Sequence, residues 1–209
     1  MARGRSAHYD DQRELILERA AHLFARQGYS GTSMNQVAEA CGLSKPALYH
    51  YFRDKYALLV HIAEEHVSRL QELVEEVDTL QLAPEPRLRL LIERFVLEYA
   101  RARDAHRVLT EDVRFLTEED QARILGTERS VVGHFASAIG QQWPHIGTAR
   151  LTKPTTMLLF GMINWMFTWL RPEGSLTHED LAPMVADLFF GGVPAMRAPA
   201  HLQEPERQD

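Results

Sequence analysis

The sequence predicts an all-α protein of about nine helices, with a small N-terminal domain of three helices and a larger helical domain behind it. Apolar residues recur at helical spacing along most of the chain, as in Ile16, Ala20, Leu23 and Phe24. Capping residues precede these stripes, and no segment has the alternating pattern of a β-strand. The 209 residues, of which 45% are hydrophobic, are enough to bury a core in each domain.

The first domain is predicted to span residues 9–54. Its first helix runs from about Asp10 to Gln27 and ends before Gly28, which can take the positive φ that closes many helices. Residues 1–8 (MARGRSAH) have no apolar periodicity, so we expect a disordered basic arm in front of this helix.

Residues 32–55 (TSMNQVAEACGLSKPALYHYFRDK) contain two helix starts separated by a turn. Ser33 opens an S-x-x-Q capping box, and Gly42 supplies the turn after the short helix that follows. Ser44 then caps a second helix, with Pro46 in its first turn, where proline is well tolerated. The order of caps and turn predicts a helix-turn-helix.

The second helix of this pair begins with small side chains and continues with longer polar ones. Such a helix can enter the major groove of DNA, which is about 12 Å wide, with Lys45 and Ala47 near base edges. Tyr49, His50 and Tyr51 can reach phosphate oxygens. The alternative is that the YHYF segment is an aromatic seam of a helical core; the two caps and the glycine turn favour the DNA-binding interpretation.

At these residues the chain resembles the N-terminal domain of TetR/AcrR family transcriptional regulators, over about residues 12–60. The resemblance includes the segment ILERAAHLFARQGYSGTSMNQVAEACGLSKPALYHYFRDKYALL. It implies a homodimeric repressor that reads a palindromic operator, with phosphate contacts at Thr32, Ser33, Tyr49, Tyr51 and Lys55. The predicted DNA-binding residues are therefore Thr32, Ser33, Ser44, Lys45, Pro46, Ala47, Tyr49, His50, Tyr51 and Lys55.

The charge of the chain is unevenly distributed. Residues 1–60 contain eight Lys and Arg against six Asp and Glu, a net charge of +2, while the remaining 15 against 23 give −8. Because the basic excess is small, we expect DNA binding to depend on a dimer and to weaken steeply with salt. The arm is either an unstructured terminus or a segment whose Arg3 and Arg5 enter the minor groove.

Residues 55–192 are predicted to form an effector-binding and dimerisation domain, followed by a disordered tail at 193–209. A long helix from Lys55 towards Val77 joins the two domains, and residues 78–86 form a linker that contains two prolines. Shorter helices are expected at about 87–103 and 105–116. A further helix opens at a capping box formed by Thr117 and Asp120.

Residues 152–170 (TKPTTMLLFGMINWMFTWL) are apolar on every side, so a helix here must be buried all round. One face carries Leu158, Met162, Trp165 and Trp169 and can meet a partner subunit. The last helix begins at Thr177 and is also apolar. The last two helices therefore predict a homodimer interface, with a monomer that buries both helices in one large core as the alternative.

Aromatic residues of the second domain can converge on an apolar cavity or can form an ordinary core, and periodicity alone favours the core. The predicted ligand-binding residues are Phe95, Tyr99, Arg107, Phe115, Phe135, Phe160, Asn164 and Trp165. The C-terminal half, especially LFGMINWMFTWLRPEGSLTHEDLAPMVADLFFGG, resembles regulators of fatty-acid, sterol or aromatic-acid degradation that respond to acyl-CoA thioesters. This resemblance implies such an effector.

The phosphates of coenzyme A need positive charge at the mouth of the site. The candidates are Arg87, Arg89, Arg101, Arg103, Arg107 and Arg114, and the alternative for each is a charged surface position. Two other functions stay open. A multidrug sensor would need inward-facing acidic residues, for which Glu98 and Glu111 are the candidates, and a constitutive DNA-binding protein would have a solid second domain.

Patterns typical of enzymes are missing from the sequence. It contains no glycine-rich phosphate loop after a strand, no GxSxG segment, no HExxH segment and no cysteine pair. We therefore predict no catalytic residues, no metal site and no cofactor. Residues 1–11 lack the apolar core of a signal peptide and no run is long enough to span a bilayer, which predicts a cytoplasmic protein without membrane contact.

Overall fold

A computed structural model describes residues 3–148, 150–171, 174–197 and 199. Within these ranges the chain forms eleven α-helices and no strand, which confirms the predicted all-α class. The helices are α1 (Arg3–Gln27), α2 (Met34–Ala40), α3 (Lys45–Tyr51), α4 (Lys55–Thr79), α5 (Pro84–Arg101), α6 (Arg103–Asp112), α7 (Glu118–Gln142), α8 (Pro144–Thr148), α9 (Thr152–Asn164), α10 (Met166–Trp169) and α11 (His178–Gly192). Short 3₁₀ segments follow α6 (Val113–Phe115) and α11 (Val193–Ala195).

The chain folds into two compact units, and their boundaries pass through α4 and α7. Unit 1 consists of the described residues up to Arg69 together with Ala102–Thr127, and unit 2 consists of Leu70–Arg101 and the described residues from Glu128 onwards. This division differs from the boundary predicted between residues 54 and 55. The reason is that α6, which the sequence placed in the second domain, packs against α1.

The core of unit 1 joins the stripes of several helices. Ile16 of α1, Val37 of α2, Leu48 of α3 and Leu59 of α4 are fully buried in one cluster. Leu109 of α6 belongs to the same cluster. Burial of these side chains fixes the helix-turn-helix against α1 and α4, because each contributes roughly 1.5–3 kcal/mol of apolar burial.

α1 begins at Arg3, about seven residues before the predicted start. The prediction of a disordered arm is therefore wrong for residues 3–8, whose backbone is helical. Once a helix has formed, each further residue adds a hydrogen bond without a new nucleation step, so the stripe that begins at Ile16 can carry a polar extension.

Unit 2 has a second core, to which α4, α5, α7, α9 and α11 contribute. The apolar segment predicted as one helix is divided at Trp165 between α9 and α10. Val193 and Met196 pack against this core, so the predicted disordered tail begins too early. Its residues 198 and 200–209 lie outside the described residues. Among the described helices, none is both long enough and apolar enough to cross a bilayer.

Candidate DNA-binding surface and effector core

Two local caps hold the helix-turn-helix. The Ser33 N–H donates to Gln36 Oε1 at 2.8 Å, and the Gln36 N–H donates to Ser33 Oγ at 3.3 Å, which confirms the predicted capping box. The Ala47 N–H donates to Ser44 Oγ at 3.3 Å at the start of α3. Gly42 lies between the caps at φ +65°, where a side chain would be strained.

α3 buries one side and exposes the other. Leu48 is fully buried, and Phe52 closes the helix with its ring in the core. Tyr49 is 43% exposed, so the YHYF segment is not a buried aromatic seam. The exposed predicted residues of α3 and its cap are Ser44, Lys45, Pro46, Tyr49 and His50, while Ala47 and Tyr51 are half-buried.

Thr32 and Lys55 have structural partners that the sequence did not reveal. Thr32 is buried, and its hydroxyl donates to the Gly28 carbonyl at 3.0 Å. Lys55 Nζ donates to the carbonyls of Tyr29 and Thr32 at 2.7 and 2.8 Å. Both side chains therefore hold the loop between α1 and α2, and their contact with phosphate stays a prediction.

Tyr29 contacts three other parts of unit 1 through its ring and its backbone N–H. Lys55 Nζ lies 4.3 Å from the ring centroid, and the Phe115 ring lies 5.2 Å away. The Tyr29 backbone N–H donates a hydrogen bond to the Asp112 carboxyl, whose pKa is nevertheless raised because the group is buried. The end of α6 thus contacts the loop that precedes the helix-turn-helix.

These contacts correct the prediction for Phe115. It was assigned to the effector cavity, but it lies in unit 1 beside Tyr29 and has Arg114 over its ring at 5.0 Å. The prediction was wrong because helical spacing shows which residues share a face and does not show which helix that face meets. No local sequence signal identifies the partnership of Tyr29 with Asp112.

Another polar network joins the starts of α4 and α7. The Tyr56 hydroxyl donates to Asp120 Oδ2 at 2.5 Å and accepts a hydrogen bond from the Thr117 N–H at 2.9 Å. The Asp120 N–H donates to Thr117 Oγ1 at 3.2 Å, which is one half of the predicted capping box, while the Thr117 N–H donates to Tyr56 in place of Asp120. Arg123 forms ion pairs with Asp120 and Glu64. These bonds therefore connect α4 to the beginning of α7 within unit 1.

Four of the predicted ligand-binding residues do come together in unit 2. The ring centroids of Phe95 and Phe135 are 4.7 Å apart, those of Phe135 and Phe160 are 5.0 Å apart, and Tyr99 lies 5.9 Å from Phe95. All four side chains are buried. Their rings pack edge to face against one another, so a ligand between them needs these rings to move apart.

The other predicted ligand-binding residues lie elsewhere. Trp165 is 52% exposed and stacks on Phe167, and Asn164 is half-buried at the end of α9. Arg107 lies in unit 1, where its Nε donates to Glu111 Oε2 at 3.1 Å. Trp165 was predicted to line the cavity with the other aromatic residues and Arg107 to pair with a phosphate, and neither packs among the four buried rings.

The candidate arginines for coenzyme A differ in their surroundings. Arg87 donates to Asp78 Oδ1 at 2.7 Å, and Arg89 forms ion pairs with Glu85 and Asp187. Arg101 is exposed in the last turn of α5. Within unit 2, Arg101 is therefore better placed than Arg87 or Arg89 to receive a new anion.

Unit 2 also carries an exposed apolar surface on its last helices. We call this the α9–α11 face. Leu158 and Leu188 are 63% and 68% exposed, values that are high for leucines in a folded chain. The exposed members are Met157, Leu158, Trp165 and Trp169 of the α9–α10 segment and Met184 and Leu188 of α11. Exposed apolar side chains grouped on the same helices are typical of sites of protein association.

Two short capped helices joined by a turn, the second with an exposed polar side, define the chain as a helix-turn-helix DNA-binding protein with an attached helical domain. Residues 16–62 match a family model described as "Bacterial regulatory proteins, tetR family". Residues 81–193, more than half of the chain, match one described as "Tetracyclin repressor-like, C-terminal domain". The chain belongs to the TetR family of transcriptional regulators.

Relatives and solved structures agree with this assignment. A repressor of Corynebacterium glutamicum, AcnR, is 39% identical over 66 residues, or 32% of this chain, and the matched part is about a third (35%) of AcnR. A TetR-family regulator from Bordetella parapertussis is 36% identical, with a TM-score of 0.82, over 90% of this chain and 98% of that chain. AibR, solved in complex with isovaleryl coenzyme A and operator DNA, is 28% identical, with a TM-score of 0.74, over 85% of this chain and 97% of that chain.

Proposed function

We propose that this chain represses transcription by binding a palindromic operator as a homodimer, and that an acyl-CoA thioester releases it. The observation that carries the DNA-binding part is the exposed side of α3, which we call the reading helix. Ser44 caps its first turn, and it follows the capped helix α2. Lys45 and Ala47, in the first turn of α3, are the residues that we propose for base contacts.

The α9–α11 face supports the dimer. A dimer places the α3 helices of its two subunits about one DNA turn apart. This spacing matches the two half-sites of a palindromic operator. We expect Leu158→Glu combined with Leu188→Glu to give a monomer by sedimentation, and to weaken operator binding at least tenfold, because two charges cannot be buried without partners. Leu80→Glu is the matched control, since Leu80 is also an exposed leucine but lies at the end of α4. A dimer that survives the double change would place the interface elsewhere.

The acyl-CoA proposal is supported by AibR and by the aromatic core of unit 2. AibR binds isovaleryl coenzyme A, and its likeness to this chain extends over unit 2. An acyl group suits the apolar surroundings of Phe95, Phe135 and Phe160, and Arg101 can pair with a phosphate of coenzyme A. Because these rings contact one another, a ligand between them requires a second packing arrangement of the rings.

Two continuous helices can carry the change to the DNA. α4 and α7 each contribute residues to both units, so a rearrangement in unit 2 acts directly on helices that also belong to unit 1. By linkage, an effector that binds the free form a hundredfold better weakens operator binding a hundredfold, or about 2.7 kcal/mol. AibR holds both ligands in one structure, so the effect is to be measured as a change in affinity.

The experiment measures operator binding by fluorescence anisotropy with and without isovaleryl-CoA and longer acyl-CoA thioesters. The duplex is one that the protein selects from a random library. Free coenzyme A and the free acids are the controls. A thioester that lowers operator affinity, and raises the unfolding midpoint of the protein alone, supports the proposal. No change with any thioester would leave the DNA-binding function intact and reject this effector class.

A second effector class is favoured by one observation. Glu98 is buried in unit 2, and the half-buried Glu128 lies near Tyr99 with its pKa raised by burial. An apolar cation bound beside Glu128 would favour the ionised form of this carboxyl. Glu111, the other predicted acidic residue, is exposed in unit 1 beside Arg107 and does not belong to this group. If cationic dyes release the protein from the operator, the protein is a drug sensor. If it stays bound to the operator with every ligand tested, it is a constitutive DNA-binding protein.

A further inference from the structure

Three aromatic rings meet at the C-terminal end of the reading helix, and one of them comes from α1. The Tyr9 ring stacks on the Tyr51 ring, with centroids 4.7 Å apart and planes inclined by 23°. The His50 ring lies 6.5 Å from Tyr9 and 5.9 Å from Tyr51, with its edge towards each. His50 and Tyr51 belong to the predicted DNA-binding surface, and Tyr9 does not.

The extension of α1 brings Tyr9 to this position. Tyr9 precedes the buried Ile16 by seven residues, about two helical turns, so both lie on nearly the same side of α1. One turn after Tyr9, the Arg13 guanidinium lies 5.4 Å from the centroid of Phe52, the residue that ends α3. Two consecutive turns of α1 therefore contact the last residues of the reading helix and its cap.

α3 needs such support. It has seven residues, and a helix of this length is not stable without tertiary contacts. Leu48 is its buried residue, one turn before the C-terminal end. Tyr51 is half-buried, and its ring is held from outside by Tyr9, which is itself 39% exposed.

We propose that Tyr9 is a positioning residue for operator binding. Its ring orients Tyr51 and the end of α3 towards the DNA backbone, and the stacked face rather than the hydroxyl performs this role. The inference rests on the proposed operator binding by α3. Because phosphate contacts carry no sequence information, loss of the stack weakens binding to all duplexes alike.

The test compares operator affinities of Tyr9→Ala, Tyr9→Phe and the control His8→Ala in the full chain, on the selected duplex and on a scrambled one. His8 is exposed on the same turn and points about 100° away round the helix. We expect Tyr9→Ala to weaken binding about three- to tenfold on both duplexes, and Tyr9→Phe and His8→Ala to stay within about twofold of the unchanged protein. If Tyr9→Ala lowers the unfolding midpoint, Tyr9→Leu replaces it, because leucine keeps the apolar bulk without the ring.

A double-mutant cycle separates positioning from direct contact. If Tyr9 acts through Tyr51, Tyr9→Ala has no further effect on a protein that already carries Tyr51→Ala. Independent, multiplying losses would overturn the proposal, as would unchanged binding by Tyr9→Ala. A loss in Tyr9→Phe equal to that in Tyr9→Ala would assign the hydroxyl to a phosphate instead. Operator binding by the unchanged protein is measured first, and its absence would reject both this inference and the proposed function.

Discussion

The exposed side of α3 in unit 1 and the aromatic core of unit 2 are stabilised by different kinds of contact. The helix-turn-helix is stabilised by caps that join residues three apart, Ser33 with Gln36 in α2 and Ser44 with Ala47 in α3. The rings of unit 2 are buried and come from helices far apart in the chain, such as α5 and α7. The DNA-binding surface is therefore formed by local contacts, whereas the proposed effector site needs the buried rings to move apart.

The strongest test of this contrast is removal of a core ring. Phe135→Ala is expected to lower the free energy of unfolding by about 3–5 kcal/mol, because Phe135 is fully buried against Phe95 and Phe160. Tyr49→Ala on the exposed side of α3 should change it by only about 0.5 kcal/mol. Urea denaturation at one fixed protein concentration measures both. Similar costs for the two changes would mean that the rings of unit 2 are not a packed core.

A substitution of Lys55 tests whether local caps alone stabilise the helix-turn-helix. Lys55→Met is expected to cost about 1.5–3 kcal/mol of stability, because the carbonyls of Tyr29 and Thr32 lose a charged donor. Its operator affinity should fall while the slope of log affinity against log salt stays unchanged. A slope smaller by about 0.9 with normal stability would instead identify Lys55 as a phosphate contact.

The buried pair of His66 and His106 makes unit 1 sensitive to acid. Burial, together with His106, lowers the pKa of His66 to about 3 from its usual 6.5. His66 therefore binds a proton below about pH 6.5 in the unfolded chain. In the folded chain it binds this proton only below about pH 3. Stability is full above pH 6.5 and is lost as the pH falls through this window, by at most about 1.4 kcal/mol per pH unit for this group.

The check is urea denaturation at pH 6.5 and pH 5. The expected loss between these values is about 2 kcal/mol for the unchanged protein. His66→Gln, which keeps a hydrogen-bonding side chain but does not titrate, should lose much less. Equal losses in both proteins would show that His66 does not control the acid response.

The smallest expected effects distinguish base contacts from phosphate contacts within α3. Tyr49→Phe should weaken binding by about 1 kcal/mol on all duplexes, whereas Lys45→Ala should change the preference at one operator position by about 1–3 kcal/mol. Affinities for a set of single-base variants of the selected operator measure both. A uniform loss for Lys45→Ala would mean that Lys45 contacts phosphate only.

Features that depend on neighbouring residues were predictable. The capping box at Ser33, the cap at Ser44, the turn at Gly42 and the start of the last helix at Thr177 are all present where the sequence placed them. These features share one cause, since each interaction joins residues within about one helical turn.

The misplaced residues depend on contacts between distant segments. Phe115 and Arg107 were assigned to the effector cavity, but α6 packs on α1 and takes both into unit 1. Trp165 interrupts an apolar run that carries no helix-breaking residue at that point, and it is exposed. Neither periodicity nor composition could reveal these outcomes, because many helix pairings bury the same apolar stripes.

By itself, the sequence determined that this protein is all-α, where its reading helix begins and which residues that helix exposes, because caps, turns and periodicity act within a few residues. Only the tertiary structure decided that α6 belongs with the DNA-binding helices, that Lys55 and Asp112 hold the loop before them, and that Tyr9 supports Tyr51. Those pairings join residues from 26 to 83 positions apart, as Lys55 to Tyr29 and Asp112 to Tyr29. Their energies depend on how whole helices pack, which no short stretch of sequence encodes.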